Sequence, residues 1–384
     1  MHDNTAKALA IGRALVADVL TPMKQCFVGK DEIVDLLGLA LVAGENLFLL
    51  GPPGTAKSAL VKELARRIDG RGFDYLLTRF TEPSELFGPF DIRKLREGEL
   101  ATNTEGMLPE ANLVFLDELL NANSAILNSL LGVLNERMLR RGREVFDLPL
   151  VLAVGASNHL PEDESLAALF DRFLVRVRCD NVPDESLPQV LDAGWRLEHE
   201  RGQPARALAV DDIRLLREIL PGVDLAPARE KFVALVRRLR TAGLPLSDRR
   251  AVKLQRLVAA SAILSGRTSA DPTDLWVFRH IWDTEEQQEV LAAVVDEALA
   301  AAQSANPHPR ARSSSAPDPE ALASELEELS RRAVSPGSSA AATAQVRDQL
   351  GILAARCQWV QDETQRTWLQ EKVAEIWKRV GSAP

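Results

Sequence analysis

The stretch GPPGTAKS at residues 51–58 constrains this chain more than any other feature, because it nearly matches the phosphate-binding pattern G-x-x-x-x-G-K-[ST]. In such a loop, backbone N–H groups and the start of a helix surround phosphate oxygens, while a lysine and a hydroxyl complete the site. Lys57 and Ser58 hold the last two positions, and Ala56 replaces the last glycine. We expect right-handed dihedral angles at Ala56, with positive φ confined to Gly54.

The segments around this loop predict its place in the fold. Asn46–Leu50 is an apolar run of strand length that ends at the loop, and residues 57–68 carry apolar side chains on one helical face. Further strand candidates are Phe73–Leu77, Leu113–Leu116, Leu150–Val154 and Phe173–Val177. Apolar strands separated by helical segments are typical of a parallel sheet covered on both faces. Residues 1–182 are therefore predicted to form a doubly wound α/β domain.

The remainder of the chain has a different character. Apolar residues over 183–302 recur at helical spacing without a convincing strand, which predicts an all-α domain. Residues 303–319 are rich in Pro, Ser, Ala and Arg and predict a flexible linker. Leucines and valines at helical spacing over 320–384 predict a helical C-terminal extension.

Composition limits the classes of function. The net charge of -9 disfavours a protein whose main task is to bind a phosphate backbone. The three cysteines lack the spacing of a disulfide framework or a zinc site. No segment approaches the roughly eighteen consecutive apolar residues of a membrane span, so we expect a cytoplasmic protein.

Two further apolar runs end in polar residues suited to nucleotide chemistry. LVFLDE at 113–118 delivers Asp117 and Glu118 at the end of a strand, and LVLAVGASN at 150–158 ends in Asn158. In a parallel sheet these ends lie beside the phosphate loop. Asp117 would order a Mg²⁺ shell and Glu118 would polarise the attacking water, while Asn158 would reach the γ-phosphate. An acidic turn and a turn-closing asparagine are the alternatives.

With these motifs the chain resembles the AAA+ ATPases among the P-loop NTPases, within them the MoxR group, and most closely the RavA-type branch. GPPGTAKS resembles Walker A, in which members of this group often carry alanine at the same place; LVFLDE resembles Walker B, and Ala156–Asn158 resembles sensor 1. The resemblance implies ATP and Mg²⁺, with Ser58 and Asp117 on the metal. The residues expected to contact the nucleotide are Val28, Gly29, Gly51, Pro52, Pro53, Gly54, Thr55, Ala56, Lys57, Ser58 and Ala59.

The resemblance also assigns two arginines. ALFDRF at 168–173 resembles the segment with an arginine finger, so Arg172 would reach a neighbouring subunit's site; a surface pair with Asp171 is the alternative. LSDRR at 246–250 resembles sensor 2, which favours Arg249 and leaves Arg250 open.

Two insertions fit the same branch. Pro83–Pro89 with the hairpin-like FDIRKLREGELA resembles an insert in the second helix, and Arg137–Val145 resembles a β-hairpin before sensor 1. On that hairpin, Arg137, Arg140, Arg141 and Arg143 would either line a ring's pore or form a solvated surface.

The implied function is a homo-oligomeric ring, a hexamer, that hydrolyses Mg-ATP and remodels or activates a client protein with a von Willebrand factor A (vWA) domain. Two alternatives from other classes stay open: a slow, nucleotide-gated binding scaffold and a nucleic-acid motor similar to the MCM helicases. The acidic composition argues against the motor.

Overall fold

The computed structural model describes residues 2–97, 101–141, 144–161, 164–199, 207–244, 246–300, 302, 304 and 306–311, together with parts of 322–381. The chain divides into two compact units, Met1–Ala311 and Arg312–Pro384. Within the described part, no helix is both long and apolar enough to span a membrane.

The first unit is built on a five-stranded parallel sheet, as the sequence predicts. Its strands are β1 (Asn46–Leu50), β2 (Gly72–Leu76), β3 (Leu113–Asp117), β6 (Leu152–Ser157) and β7 (Phe173–Arg178). Their order across the sheet is β2-β3-β6-β1-β7. A separate antiparallel hairpin pairs β4 (Met138–Arg141) with β5 (Glu144–Asp147). Strand β1 lies between β6 and β7 and is buried along its length, and the exposed residues of β2 match its position at the edge of the sheet.

Helices cover the sheet and build the part that follows it. The α/β part contains α1 (His2–Ala14), a π turn (Leu15–Leu20), α2 (Thr21–Cys26), α3 (Asp31–Ala43), α4 (Lys57–Arg67), α5 (Pro83–Phe87), α6 (Ile92–Arg96), α7 (Ser124–Glu136) and α8 (Glu164–Phe170). The helices that follow are α9 (Leu187–His199), α10 (Val210–Ile219), α11 (Ala226–Thr241), α12 (Asp248–Leu264) and α13 (Glu286–Ala300). Short 3-10 turns lie at Leu108–Glu110, Leu119–Asn121, Asp184–Ser186, Leu220–Gly222, Pro272–His280 and Pro309–Ala311. The α/β fold with a following helical lid is thereby confirmed.

The two predicted inserts differ in form. The second is a β-hairpin, as expected. In the first, an antiparallel bridge joins Phe90 to Thr102, and helix α6 lies between them; residues 98–100 lie outside the described residues. Asp91 N donates to Ala101 O at 2.8 Å, which closes the base of this insert.

A buried charge network joins the sheet to the helical lid. Arg176 on β7 has no exposed side-chain surface and donates to the backbone oxygens of Ile281 and Trp282, at 3.2 and 2.8 Å. Asp283 accepts from Arg176 and from Arg250 on α12, each at 2.8 Å. Burial lowers the pKa of Arg176 to about 10, and the nearby Asp283 opposes this shift. Since an unpaired buried charge is costly, this network fixes the lid to β7.

Part of the predicted linker is instead packed on the first unit. We call residues 304 and 306–311 the strap. His308 stacks on Trp276 with ring centroids 4.7 Å apart, and Arg310 pairs with Asp35 of α3 at 2.8 Å. Asp35 also pairs with Lys24, at 2.6 Å. Composition predicted too little apolar surface to fold here, but polar side chains provide the contacts: besides His308 and Arg310, Ser304 donates to Asp271 and Asn306 donates to Ser265 O. Residues 303, 305 and 312–319 of the predicted linker lie outside the described residues.

The second unit is helical in its described residues. Its last helix, Glu363–Gly381, shares one apolar cluster with two earlier segments. The cluster consists of Leu322, Leu326, Leu329, Leu350, Leu353, Cys357, Leu369, Val373 and Ile376. The predicted helical spacing over 320–384 therefore places these residues on a common buried face.

Candidate functional site

The ends of the central strands converge on the phosphate loop. Gly51 N donates to Ser157 O at 3.0 Å, and Cys179 N donates to Leu50 O at 2.8 Å. The loop thus leaves the sheet between the ends of β6 and β7. Strand β6 pairs with β1 on one side and with β3 on the other. Asp117, at the end of β3, is therefore two strand spacings, or about 10 Å, from β1.

The first glycine of the loop is required by a close backbone approach. A Cβ atom at Gly51 would lie 2.3 Å from Cys179 O, which is far inside any real contact distance. Gly54 has φ +83° with no atom within 4 Å of an added Cβ, so its requirement is conformational rather than steric. The loop therefore needs the two glycines for different reasons.

Ala56 does not have the predicted right-handed conformation. Its dihedral angles, φ 67° and ψ 20°, are left-handed, although Ala56 directly precedes α4. A non-glycine residue in this region costs about 1–2 kcal/mol. The prediction failed because it extended the helical geometry one residue too early; Ala56 turns the chain so that α4 starts at Lys57.

The remaining loop side chains are held by the loop's own backbone. Lys57 is buried and its Nζ donates to Gly51 O at 2.8 Å and to Pro52 O at 2.9 Å. The hydroxyl of buried Thr55 donates to Pro52 O at 3.0 Å. Ser58 is half-buried on the first turn of α4, as is Ala59, whereas Pro53 is exposed. The ammonium group therefore lies inside the curve of the loop.

The two carboxylates after β3 have different backbone conformations. Asp117 ends the strand, and its Oδ1 accepts from the N–H of Glu118 at 3.0 Å. Glu118 has φ 49° and ψ 41°, a left-handed conformation that is uncommon outside glycine. Both side chains are half-buried. The left-handed turn at Glu118 therefore ends the extended backbone of β3 directly after Asp117.

Asn158 and the Val28–Gly29 turn lie at the same edge of the sheet. Asn158 follows β6 directly and is exposed, one residue after the Ser157 that bonds Gly51. Gly29 has φ +71°, and a Cβ there would lie 2.8 Å from Val182, just beyond β7. Lys30 donates to Asp180 O. The structure therefore brings both of these predicted positions to the side of the sheet that carries the phosphate loop.

Arg172 lies at the opposite edge. It precedes β7, and its Nη1 contacts Asp171 at 3.1 Å, which is the surface pair considered as an alternative. Its backbone oxygen accepts from Asn46 at the start of β1, at 2.9 Å. Its Nε is buried and has no hydrogen-bond partner among the described residues. The six residues of β7, about 20 Å of strand, separate Arg172 from the phosphate loop.

Arg249 shares that opposite edge. Its Nη2 donates to Asn135 at the end of α7, at 3.0 Å, while Asn46 donates to the adjacent Leu134 O. Arg250 is buried in the Asp283 network and has no exposed route to a ligand. Neither arginine therefore reaches the phosphate loop of its own chain.

The two described hairpin arginines, Arg137 and Arg140, have different surroundings. Arg137 is largely buried, has φ 55°, and donates to Gly44 O at 3.3 Å. Burial lowers the pKa of Arg137 to about 10, and nearby Glu45 opposes this. Arg140 is exposed on β4. The side chains of Arg141 and Arg143 lie outside the described residues.

Sequence reasoning missed a group of cations around the end of α3. Arg217 donates to Leu41 O at 3.0 and 2.6 Å, and burial lowers its pKa to about 9. A Cβ at Gly44 would lie 3.4 Å from Arg256 Nη2 and 3.5 Å from Arg217 Cζ, so these guanidinium groups are neighbours. Lys253 pairs with buried Glu45 at 2.8 Å. The sequence could have predicted part of this group, because Arg249, Lys253 and Arg256 are spaced so that they lie on one face of a helix.

No group of three or more His, Cys, Asp or Glu residues in the described ranges is arranged to hold a metal ion. The donors that the sequence predicted for Mg²⁺ are instead one hydroxyl, Ser58, and one carboxylate, Asp117. Both are oxygen donors at the same sheet edge, and Mg²⁺ is usually held by one or two such groups together with water and substrate phosphates. The residues present therefore fit Mg²⁺.

Comparison with known proteins gives consistent matches. Residues 14–218 match the family described as the MoxR domain in the MoxR-vWA-beta-propeller ternary systems, and residues 229–295 match the AAA lid domain. The chain is 36% identical to the uncharacterized protein MJ0812 of Methanocaldococcus jannaschii over 68% of this chain and 69% of that protein. It is 26% identical to the chaperone MoxR1 of Mycobacterium tuberculosis over 56% of each chain. The fold is similar, with a TM-score of 0.62 and 20% identity, to a crystal structure of a Cytophaga hutchinsonii protein assigned as an ATPase, covering 76% of this chain and 96% of that one.

Proposed function

This chain belongs to the MoxR family of AAA+ ATPases, and on that premise we propose that it hydrolyses Mg-ATP as a homo-oligomeric ring and remodels or activates a client protein. The observation that carries the proposal is the separation of two half-sites. The phosphate loop, Glu118 and Asn158 lie at one sheet edge, whereas Arg172 and Arg249 lie at the other. One protomer holds the complete set but cannot assemble it around a single nucleotide.

At the loop edge, each side chain has a role that its position supports. Lys57 would exchange its two carbonyl acceptors for β- and γ-phosphate oxygens, which keeps its ammonium group satisfied. Glu118 would polarise the attacking water, and the exposed Asn158 amide would orient the γ-phosphate. The left-handed backbone at Glu118 supports this assignment, because such strain persists mainly at functional positions.

Ser58 and Asp117 would hold Mg²⁺, with Asp117 acting through the ordering of its water shell. When bound, the metal neutralises charge on the β- and γ-phosphates. The N–H of Glu118 keeps the Asp117 carboxylate in place at 3.0 Å.

At the opposite edge, Arg172 and Arg249 would complete the site of a neighbouring subunit. Arg172 is only 22% exposed, and its buried Nε has no hydrogen-bond partner among the described residues, so a side-chain rotation that brings the guanidinium group to a phosphate would satisfy this donor. Among the described residues the guanidinium group of Arg249 donates to the neutral Asn135 amide, which it could exchange for an anion. Arginines supplied across an interface contribute about 10³- to 10⁵-fold in rate in related phosphoryl transfers.

A protein with a vWA domain is the proposed partner. This rests on the description of the matching family, which places MoxR domains in systems with vWA proteins, and on the chaperone name of one relative. A hexameric state and a cytoplasmic location are also proposed, on the basis of the resemblance to the family. Nucleic acid is not proposed as a ligand because the net charge is -9.

The test measures ATP hydrolysis per protomer against protein concentration, with light scattering on the same samples. We expect wild-type activity to rise with assembly, and Arg172→Ala to assemble yet lose at least about a hundredfold in kcat. Arg214→Ala is the matched control, because Arg214 is also paired with a nearby aspartate, Asp211, but lies on α10. Wild-type ATP binding without hydrolysis at any concentration would contradict the proposal and favour the nucleotide-gated scaffold.

A further inference from the structure

Helix α9 carries a second apolar face that nothing in the described structure covers. Leu187, Leu191 and Trp195 are 49%, 65% and 66% exposed. They recur every four residues and so form one continuous stripe along the helix, which we call the α9 stripe. The sequence alone gives no hint of this, since apolar spacing of that kind usually marks a buried face.

The other apolar face of α9 already anchors the helix. Ala193 is buried, Val190 and Leu197 are half-buried, and the helix packs against α2. At about 100° per residue, this packed face and the α9 stripe point roughly 130° apart around the helix. A surface helix needs only one apolar face to hold its place. The α9 stripe is therefore not needed to hold α9 against the described part of the first unit.

The charges around the α9 stripe are mainly negative. Over residues 184–199 four carboxylates stand against one arginine: Asp184, Glu185, Asp192 and Glu198 against Arg196. An occupant that suits the α9 stripe must therefore be basic and must offer some apolar surface.

The chain itself presents such a surface at its other end. We call Arg172, Arg249, Lys253 and Arg256 the basic edge; Arg256 has no hydrogen bond or ion pair among the described contacts. Val252 on α12 lies beside these cations and is 63% exposed, and the methylene stems of arginine and lysine add apolar surface. Arginine also stacks favourably on a tryptophan face.

The two surfaces lie at opposite ends of β7. Arg172 precedes the strand, while α9 follows it after the short Asp184–Ser186 turn. Two different patches at opposite ends of a molecule cannot meet within one chain, but they generate a head-to-tail ring when each meets its counterpart on the next copy.

We propose that the α9 stripe docks on Lys253, Arg256 and the neighbouring Val252 in the basic edge of a second copy of this chain, which leaves Arg172 and Arg249 of that edge to face the adjoining nucleotide site. The inference rests on the proposed ring and identifies the surface that closes it. Docking at this place would bring Arg172 and Arg249 of one protomer towards the phosphate loop of the next, because α9 begins eight residues after Cys179, whose backbone oxygen lies against Gly51.

Assembly tests the proposal directly. The double variant Leu191→Gln, Trp195→Gln should need at least about tenfold more protein to assemble with ATP than the wild type, as measured by light scattering. Ile92→Gln is the control, because Ile92 is 67% exposed on α6 of the first insert, a degree of exposure similar to that of Leu191 and Trp195, and belongs to neither surface. Circular dichroism and binding of a fluorescent ADP establish that each variant is folded.

A mixing experiment identifies the occupant. Arg256→Glu should also block assembly, since it reverses a charge of the basic edge. Arg256→Glu keeps an intact α9 stripe, and the α9 stripe variant keeps an intact basic edge. Mixed in equal amounts, the two proteins should therefore form dimers through these two surfaces. They should form no rings, because the outer surfaces of each dimer are both altered. Absence of dimers in the mixture would contradict docking between these two surfaces.

The outcomes separate this inference from the proposed function. A wild type that stays a protomer at every concentration contradicts the ring itself. Wild-type rings together with equally stable rings of the α9 stripe variant contradict only the docking of α9. As a second measurement, the fluorescence emission of Trp195 is obtained by subtracting the spectrum of Trp195→Phe from that of the wild type. This emission should shift to shorter wavelength on assembly, because docking removes Trp195 from water. An unchanged Trp195 spectrum in rings overturns the proposal.

Discussion

Arg249 and Arg250 are consecutive on α12, yet Arg250 donates to Asp283 at 2.8 Å in the buried network of the lid, and Arg249 donates to Asn135 at 3.0 Å on the surface. Ser247 caps the helix by accepting from the N–H of Arg250 at 3.2 Å, which fixes the first turn and sends the two side chains in different directions. The structure thereby distinguishes two residues that the sequence left as alternatives.

Substituting these arginines separates stability from activity. Arg250→Ala should lower the free energy of unfolding by about 2 kcal/mol, because it removes a buried partner of Asp283 and leaves Arg176 as the remaining cation. Arg249→Ala should change stability by less than about 0.5 kcal/mol and instead reduce ATP hydrolysis by assembled protein. Denaturant unfolding and a hydrolysis assay on both variants check this. If Arg249→Ala unfolds more easily and Arg250→Ala loses only activity, Arg249 is the structural arginine and Arg250 the one that acts in hydrolysis.

Ala56→Gly should stabilise the protein. Glycine relieves the left-handed strain at φ 67° but gains more freedom in the unfolded chain, so we expect a net increase of about 0.5–1 kcal/mol in the free energy of unfolding. Nucleotide binding should be retained, since the backbone path is unchanged. Ala56→Val is the contrasting variant and should be destabilised, because a β-branched residue tolerates this conformation poorly. Equal stability of all three proteins would show that Ala56 is not strained.

Gly51→Ala should be far more disruptive than Gly54→Ala. The added Cβ at Gly51 meets Cys179 O at 2.3 Å, so the loop or β7 must move, and we expect loss of ATP binding with a lower melting temperature. At Gly54 there is free space, and the cost is confined to a positive φ, about 1–2 kcal/mol. Binding of a fluorescent ADP and thermal unfolding compare the two. Similar losses in both variants would contradict the steric explanation.

Acid should weaken the contacts of the strap. Burial lowers the pKa of His308 to about 4, and its Nδ1 accepts from the N–H of Arg310 at 3.2 Å, which requires the neutral ring. Because the unfolded imidazole titrates near 6.5, the unfolded chain binds more protons between about pH 4 and 6.5. Stability contributed by neutral His308 is thus complete above that range and falls as pH drops, by at most about 1.4 kcal/mol per pH unit.

His308→Phe tests this because it keeps a ring over Trp276 and removes the titration. Its free energy of unfolding should fall less steeply than that of the wild type between pH 6.5 and 4.5. His280, whose pKa burial also lowers to about 4, remains in both proteins and supplies the common part of the slope. Identical slopes would show that His308 does not titrate in this range.

The sequence predicted correctly the features that depend on residues close together along the chain. The phosphate loop, the strand before it and the carboxylates after β3 are local patterns, and the structure places them at one sheet edge as expected. The prediction of right-handed dihedral angles at Ala56 was wrong because the conformation of this residue depends on how the loop meets α4. Burial of Arg137 and packing of the strap were missed because they depend on distant segments: Arg310 and Asp35 are 275 positions apart.

The strap has a mechanical consequence. Chain continuity means that a pull on the C-terminal unit first reaches the backbone at Ala311, where the ion pair between Arg310 and Asp35 transfers it to α3. Helix α3 begins directly after the Val28–Gly29 turn, beside the phosphate loop. A pull on the chain beyond Ala311 is therefore divided between α3, which leads back to the Val28–Gly29 turn, and Arg279, which donates to Arg310 O and pairs with Asp296 of α13.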